Sequence, residues 1–510
     1  MAKAAVCNTA ITSSTLVVSS MGGLKNPPFL LYEIILYISL GENPMKSLSY
    51  LANPKFVSEL HPNFAPLSLA FREFDRKVEE SGEGVPLYIA IERTGGQMGV
   101  FKTKCFPESN PMSEFNFQYA ERHAKFLLWQ KGGFRFYIYG PKSVYEYVRD
   151  CYAKGGTRDF DNDFMSTVYE KDFEVVYVEN EKDFPEEKAN TVSLGGNLEG
   201  CRIGFDLGAS DRKVSAVIDG KDVYTEEVVW DPRNATDPKY HFDEINAALK
   251  SAASHMPRVD AIGGSSAGVI IDNRPRIGSL FRGVSKEDFK AKINPLFFDL
   301  QKEWGGIPFN VVNDGEVTAL AGALGIEDTG VLGCAMGSSE AGGYVNPDGQ
   351  ITTWLNELAF CPVDAAWDAP MDEWSMDIGV GAMYFSQQAV FHLAKLAGFR
   401  LDETLTLAAK LKSVQKYLEE DDPKAVKIWE TIGIYLGYGV ANYANYYDLK
   451  HVLILGRVTS GKGGDIVLNK AKEVLKTEFP ELAHINIMLP DEKARRVGQA
   501  VAAASLPECK

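Results

Sequence analysis

The sequence predicts a two-lobed α/β protein preceded by a smaller α+β unit. After Cys201, three strand-like segments joined by tight turns lead into a helical stretch, and strands and helices alternate from there onward. Two hairpins, each made of a strand, a glycine turn and a second strand, lie far apart in this region, at 203–213 and 333–345. Two hairpins of this kind can grip one polyphosphate between two lobes, because glycine turns present backbone N–H groups to phosphate.

Composition and charge limit the partners and the redox environment that we expect for this protein. The chain of 510 residues carries 69 acidic and 53 basic side chains, and its net charge of -16 repels phosphate backbones and anionic membrane surfaces. We therefore expect no nucleic acid and no membrane among its partners. The seven cysteines are scattered, without a CxxC pair or metal-ligand spacing, which is typical of reduced thiols in a cytoplasmic protein.

The chain divides into five predicted segments. The first includes an apolar run, 29–40, that is too short to span a bilayer, and we expect this segment to be disordered or not natively made. An N-terminal α+β domain of unknown role follows, then a polar, glycine-rich linker and the two lobes. The predicted segments are 1–44 (extension), 45–180 (N-terminal domain), 181–200 (linker), 201–325 (first lobe) and 326–510 (second lobe).

The N-terminal domain contains three strand-like runs, VPLYIAIE (85–92), GVFKTKC (99–105) and GFRFYIY (133–139). The turn RTGGQMG between the first two begins at Arg93 and is a further candidate phosphate hairpin, although short glycine turns are mostly only turns. A helix is predicted between the second and third runs. Its His123 is expected to be a satisfied or surface histidine rather than a metal ligand.

The first chemical signal is IGFDLGASDRK, residues 203–213, in which an acidic residue ends one strand and a glycine turn leads into the next. Asp206 is placed to face a magnesium ion, and Gly208 gives the phosphate clearance. Ser210 and Lys213 are candidates for binding phosphate oxygens. The alternative is an ordinary β-turn with a surface aspartate.

The second signal is GCAMGSSEAGGYV, residues 333–345, another glycine hairpin. Between the two hairpins, Asn313 and Asp314 end a strand and open a helix of small apolar residues. An aspartate at that point can accept a hydroxyl proton while the substrate oxygen attacks a γ-phosphate. The alternative is a helix N-cap, a common role for Asp at such a junction.

From Cys201 onward the chain resembles the ROK family of bacterial sugar kinases and sugar-responsive repressors. Five family motifs occur in the family's order. They are DLGAS (206–210) for DxGGT, NDGEVTA (313–319) for NDxNxxAxGE, GSSEAGG (337–343) for GTGxGGG, NELAFCPV (356–363) for GExGHxPV, and LGRVTS (455–460) in the adenosine loop.

The resemblance implies an actin-like ATPase fold, related to ribonuclease H, in which ATP, Mg²⁺ and a hexose meet between the lobes. It implies that Asp314 is the general base and that Asn313 and Glu357 hydrogen-bond sugar hydroxyls. Asp206 would hold Mg²⁺ through water. The residues expected at ATP and its phosphates are Asp206, Gly208, Ser210, Lys213, Gly337, Ser338, Gly456 and Ser460.

The reaction implied is ATP-dependent phosphorylation of a hexose hydroxyl, with the 6-hydroxyl of glucose or a close relative as the first candidate. Related kinases often pair, so the resemblance also makes a homodimer the expectation.

The family's zinc site is missing from this sequence. Phe360 stands where the family has a His, and no cysteine occurs in 364–390. We therefore expect no zinc site.

Several glycines of the phosphate loops are also replaced, namely by Ala209, Ser339 and Ala341, and Arg457 follows Gly456 where a second glycine is usual. A methyl group at such a position crowds the loop and weakens ATP binding. The alternative function is therefore a sugar-binding sensor or regulator with the same fold. Asp314 favours the enzyme, because a cleft that only binds needs no base.

Overall fold

The computed structural model describes residues 47–188, 195–208, 211–490 and 498–509. The prediction for residues 1–44 and the phosphate-binding prediction for Ser210 lie outside these ranges. Within them the protein is a mixed α/β structure with three main sheets, as the sequence predicts.

The N-terminal domain consists of one four-stranded sheet and four helices. Its strands are β1 (Val85–Glu92), β2 (Met98–Cys105), β3 (Arg135–Tyr139) and β4 (Glu174–Tyr177), and its helices are α1 (Leu67–Ser81), α2 (Phe115–Lys131), α3 (Lys142–Tyr152) and α4 (Asp159–Tyr169). The strand order is β2-β1-β3-β4, with β1 antiparallel to both neighbours and β3 parallel to β4. Three of these strands coincide with the runs predicted from the sequence.

The first lobe is a five-stranded sheet flanked by helices. Its elements are β5 (Cys201–Leu207), β6 (Asp211–Ile218), β7 (Lys221–Val229), α5 (Pro238–Ala253), β8 (Ala261–Ser266), the small hairpin β9 (Val269–Ile271) and β10 (Arg274–Ile277), α6 (Leu296–Glu303) and β11 (Phe309–Asn313). The order is β11-β8-β5-β6-β7, in which an antiparallel meander is extended by two strands parallel to β5. This is the strand arrangement of an actin-like ATPase lobe. Every residue of β5 is buried, as expected for a central strand covered on both faces.

The second lobe repeats the theme with a four-stranded sheet. Helix α7 (Asp314–Ile326) leads from the first lobe into the second. The elements of the second lobe are β12 (Val331–Met336), β13 (Glu340–Val345), α8 (Gln387–Leu396), α9 (Leu407–Glu419), α10 (Pro423–Tyr443), β14 (His451–Leu455), α11 (Lys462–Glu478) and β15 (Asn486–Met488). The last helix, α12 (Gln499–Ala504), packs on β5 and β8 of the first lobe. The order is β13-β12-β14-β15, with β13 antiparallel to β12 and the other pairs parallel. The two-lobed actin-like fold with an added N-terminal domain is therefore confirmed.

One helix prediction is wrong in its first half. The apolar pattern over 376–397 predicts a continuous helix, but the helix begins only at Gln387. The preceding residues form an irregular loop because Asp377 is buried and forms ion pairs with Lys125 and Arg158 of the N-terminal domain. A remote ion pair of this kind leaves no periodic signal in the local sequence.

The N-terminal domain and the second lobe share one continuous hydrophobic core, whereas the first lobe has a separate core. Trp129 of α2 and Trp429 of α10, both fully buried, lie in the shared core. In the predicted linker, Lys188 exchanges two backbone hydrogen bonds with Met98 of β2, at 2.8 and 3.0 Å. The boundaries of the N-terminal domain remain a prediction.

None of the helices in the described part of the chain combines the length and hydropathy needed to cross a membrane.

Candidate active site

Asp206 lies near the C-terminal end of β5, and its side chain is 8% exposed. Its Oδ1 accepts a hydrogen bond of 2.8 Å from Oγ of Ser265 on the neighbouring strand β8. Burial raises the pKa of Asp206, while the hydrogen bond from Ser265 and the charge of Lys213 act against that rise. Lys213 is the residue directly opposite Asp206 on β6, so the two side chains lie on the same face of the sheet.

The turn after Asp206 belongs to the first predicted phosphate hairpin. The Gly208 N–H donates to the Asp211 carbonyl at 3.0 Å, and the Gly208 carbonyl accepts from the Trp230 indole at 2.8 Å. The ammonium of Lys213 lies 3.8 Å from carboxylate oxygens of both Asp211 and Glu227 and is partly exposed. The flexible Lys213 side chain therefore places a positive charge beside this turn, on the same face of the sheet as Asp206.

The sequence offers an N-cap as the alternative role for Asp314, but the structure gives the N-cap position to Asn313. Asn313 is the N-cap of α7, because its Oδ1 accepts from the Gly315 N–H at 2.7 Å while its amide donates to the Gly268 carbonyl at 2.9 Å. Asp314 is the first residue of the helix rather than its cap. Its carboxylate accepts from the same Gly315 N–H at 3.0 Å, and its own backbone N–H and the Asn313 side chain also stabilise the ionised form.

The carboxyl group of Asp314 is poised to titrate close to neutral pH. Burial and then the negative charge of Asp206 together raise its pKa to about 6, while hydrogen bonds from the backbone and from the Asn313 side chain act in the opposite direction. A carboxyl group with this pKa is mostly ionised at pH 7 and can still accept a proton efficiently.

The start of α7 lies directly against the second glycine hairpin. A Cβ at Gly315 would collide with the Gly342 carbonyl, and a Cβ at Gly343 would collide with the Gly315 carbonyl. Because both residues lack a side chain, the N-terminus of α7 touches β13. Asp314 therefore lies close to the second hairpin, whose turn begins at Gly337.

The turn of the second hairpin has two free backbone donors. The Gly337 N–H bonds to the Ser339 carbonyl at 3.0 Å, whereas the N–H groups of Ser338 and Ser339 have no acceptor in the described chain. Gly456 packs against this hairpin with φ of 102°, and a Cβ there would lie 2.5 Å from the Met336 carbonyl oxygen. Ser460 ends the short turn that follows Gly456. The predicted phosphate turn and the predicted adenosine loop are therefore in contact.

Glu357 is held in place by the N-terminal domain. Its N–H donates to the Trp129 carbonyl at 3.0 Å, and the N–H groups of Asn356 and Leu355 donate to the next two carbonyls of α2. These acceptors are unpaired C-terminal carbonyls of the helix, which need such donors. The Glu357 carboxylate makes no hydrogen bond to a described residue. Burial, and then the charge of Asp314, raise its pKa to about 7.

A pocket of about 150 Å³ opens between the N-terminal domain and both lobes. Asn313 and Glu357 line it, whereas Asp206 and Asp314 are not part of its wall. The charge of Asp206 acts on the pKa of Asp314, and the charge of Asp314 acts on the pKa of Glu357. Glu357 therefore links the pocket electrostatically to the predicted base.

Two residues of this pocket have no predicted role in the sequence. Glu316 is fully buried, accepts a hydrogen bond from the Asn356 amide, and has a pKa raised to about 8 by burial. Glu316 stands where the ROK motif NDxNxxAxGE has its second Asn, and this difference is the sequence signal that could have identified it. Arg93 enters from the N-terminal domain. Nothing in its local sequence except the glycine turn distinguishes it.

The residues fit magnesium and a nucleotide by the chemistry of their donors. No group of three or more His, Cys, Asp or Glu side chains suited to a metal occurs among the described residues. Mg²⁺ at a nucleotide is usually held by one or two carboxylates, phosphate oxygens and water. Asp206 supplies such a carboxylate. The free N–H groups at Ser338 and Ser339 suit phosphate oxygens.

Comparison with known proteins yields likeness in three-dimensional structure only. No family model matches the chain, and no curated protein matches it. Solved structures of ROK proteins, in contrast, match the chain. A ROK hexokinase from Thermus thermophilus matches at 18% identity with a TM-score of 0.47, over 59% of this chain and 97% of that one.

Two further ROK structures show the range of the match. A ROK glucokinase from Streptomyces griseus, solved with glucose and AMPPNP, matches at 20% identity and a TM-score of 0.40, over 60% of this chain and 99% of that one. A ROK transcriptional regulator, a homologue of the E. coli MLC protein, matches at 17% identity and 0.43, over 61% of this chain and 79% of that one. The likeness is one of fold.

Proposed function

We propose that the protein transfers the γ-phosphate of ATP to a hexose hydroxyl, with Asp314 as the general base. The observation that carries the proposal is the position of Asp314, a half-buried carboxylate at a helix N-terminus that interacts electrostatically with Asp206 and with Glu357. The pKa of Asp314, about 6, suits a base that works near neutral pH.

The substrate hydroxyl would lie between Asp314 and Glu357. Asp314 accepts the hydroxyl proton as the oxygen forms its bond to the γ-phosphorus and the bond to the leaving diphosphate oxygen breaks. Glu357 is suited to bind a sugar hydroxyl, because its carboxylate borders the pocket and has no other hydrogen bond in the described chain. Asn313 borders the same pocket, and its amide is partly engaged by Gly315 and Gly268.

ATP with Mg²⁺ would supply the phosphoryl group and neutralise the charge that develops on it. Asp206 would hold the ion through water, and Lys213, opposite it, would neutralise phosphate charge. The remaining nucleotide contacts that we propose are Gly208, Ser210, Gly337, Ser338, Gly456 and Ser460.

The alternative is a regulator that binds sugar and no longer catalyses. It shares the cleft and the fold, and differs in having no use for a base at Asp314. A ROK regulator is among the proteins of similar fold.

One experiment separates the two. ADP release is measured with a panel of hexoses, amino sugars and fructose for the wild type, for Asp314→Asn, and for Asp299→Asn on the surface of α6 as the control. A kinase gives sugar-stimulated ADP release that Asp314→Asn lowers about 100-fold to 10,000-fold and that the control leaves intact. If sugars bind but none stimulates ADP release, the protein is the regulator.

A further inference from the structure

Arg93 is a buried cation on the wall of the sugar pocket. It follows the last residue of β1 and is 7% exposed. One guanidinium nitrogen donates to the Gln97 side chain at 2.6 Å and another to the Thr353 carbonyl. Its Nε is buried without a hydrogen-bond partner.

No carboxylate lies within ion-pair distance of Arg93 in the described chain, in contrast to the other buried cations of this domain, Arg122 and Lys125. Glu316 is the acidic side chain that acts on it electrostatically, and burial raises the pKa of Glu316 to about 8, so that this group is mostly neutral at pH 7. Taking a guanidinium out of water costs free energy that a neutral carbonyl and an amide offset only in part. The charge of Arg93 is therefore left for a ligand to neutralise.

The surroundings of Arg93 suit a small anion. Thr94 and Gln97 of the same turn line the pocket and add hydroxyl and amide donors, and Asn313 and Glu357 line the same pocket. An Arg side chain presents its N–H groups in a planar fork that matches a carboxylate or a phosphate. Asp272, on the turn between β9 and β10, also lines the pocket and would repel an anion placed near it. An anion in this pocket is therefore favoured beside Arg93.

We propose that the sugar substrate carries an anionic group, a carboxylate or a phosphate, and that Arg93 binds this group from the N-terminal domain. The inference rests on the proposed function, because it places the reacting hydroxyl at Glu357 and Asp314 and the anionic group of the same sugar at Arg93. The N-terminal domain then determines which sugar is accepted, while the two lobes carry the phosphoryl transfer.

The test is calorimetric binding of three probes that all keep a 6-hydroxyl, without nucleotide. They are glucose, gluconate (a carboxylate at carbon 1) and glucose 1-phosphate (a phosphate at carbon 1). We expect one of the two anions to bind at least about tenfold more tightly than glucose, since a charge-assisted hydrogen bond contributes about 1.5–3 kcal/mol. Which anion binds more tightly identifies the group.

Variants separate recognition from structure. Arg93→Gln should remove the preference for the anion and leave glucose affinity nearly unchanged, Arg93→Lys should retain part of the preference, and Arg76→Gln on the exposed face of α1 should change nothing. Equal affinity for all three probes, no binding of any probe, or an equal loss for all three in Arg93→Gln overturns the inference. If the anion preference and its loss are observed but no sugar stimulates ADP release, Arg93 recognition stands and the proposed kinase activity fails.

Discussion

The charge of Asp206, near the end of β5, raises the pKa of Asp314, the first residue of α7, beyond the effect of burial. Repulsion between two carboxylates is a costly arrangement for a fold, and it is typical of sites that bind a cation or move a proton.

The pH dependence of activity should reveal this coupling. Because a general base must be ionised, kcat/KM for the sugar should fall as the pH drops below about 6, the pKa of Asp314, and level off above about 7. Asp206→Asn removes the repelling charge and should move the acid limb of its residual activity to lower pH. The measurement is kcat/KM between pH 5 and 8 for both proteins, and an unshifted limb in Asp206→Asn would show that the two groups are not coupled.

Gly456 provides a second test, of the nucleotide loop. Its φ of 102° is unfavourable for any residue with a side chain, and a Cβ would press on Met336 next to the phosphate turn. Gly456→Ala should raise the KM for ATP about tenfold or more, since strain of this kind costs about 1–3 kcal/mol, and should leave sugar affinity unchanged. Gly461→Ala is the control for backbone strain alone, because Gly461 also has a positive φ, of 61°, and lies between this turn and α11. Equal effects of the two variants would assign the loss to general loop damage.

The sequence predicts the parts of the site that are encoded locally. A strand that ends in an aspartate before a glycine turn, or an Asn-Asp pair before small apolar residues, carries its signal within about ten residues. Asp206, Asp314 and Gly337 are predicted in this way, and the structure packs the second hairpin against the start of α7. The strand order of the lobes follows from the same local pattern, because a meander followed by helix and strand has few ways to pack.

The role of the N-terminal domain could not be predicted, because it depends on contacts between residues remote in the chain. Glu357 donates its N–H to Trp129, and no periodicity or motif links those two positions. The same is true of Asp377 and Lys125, whose ion pair replaces a predicted helix by a loop. Arg93 likewise faces residues from both lobes, so its surroundings are determined by the tertiary fold and not by its own turn.

Lys125 should therefore be critical for the junction between the N-terminal domain and the second lobe. Its ammonium lies 2.8 Å from Asp161 and 3.1 Å from Asp377, and all three side chains are buried. Lys125→Met leaves the buried carboxylate of Asp161 without a cation, while Asp377 keeps its ion pair with Arg158, and should lower the free energy of unfolding by about 3–5 kcal/mol. Denaturant unfolding measures this change.

Two companion variants control for the size of the side chain and for the charge. Lys412→Met, on the exposed face of α9, should have little effect. Adding Asp161→Asn to Lys125→Met removes the carboxylate charge that has lost its cation and should restore part of the lost free energy of unfolding. A double variant no more stable than Lys125→Met would contradict the electrostatic explanation and favour simple packing damage.

Glu340 should make the stability of the protein fall with increasing pH. It is fully buried at the start of β13, and burial raises its pKa from 4.5 to about 8, opposed by hydrogen bonds from Tyr443 and Cys334. The folded state therefore binds a proton that the unfolded state releases. The contribution of Glu340 is fully present below about pH 4.5 and is lost as the pH rises through about 8, at up to about 1.4 kcal/mol for each pH unit.

Glu340→Gln removes this dependence and should stabilise the protein at pH 8 far more than at pH 5. The carbonyl of Gln can still accept from Tyr443 and Cys334, and its amide would take the position of Oε2, which has no partner within the described residues. Thermal unfolding at both pH values measures the difference, with Glu79→Gln on the surface of α1 as the control. Equal changes at pH 5 and pH 8 would mean that Glu340 is ionised in the folded protein, and that its burial is compensated by a cation or by water.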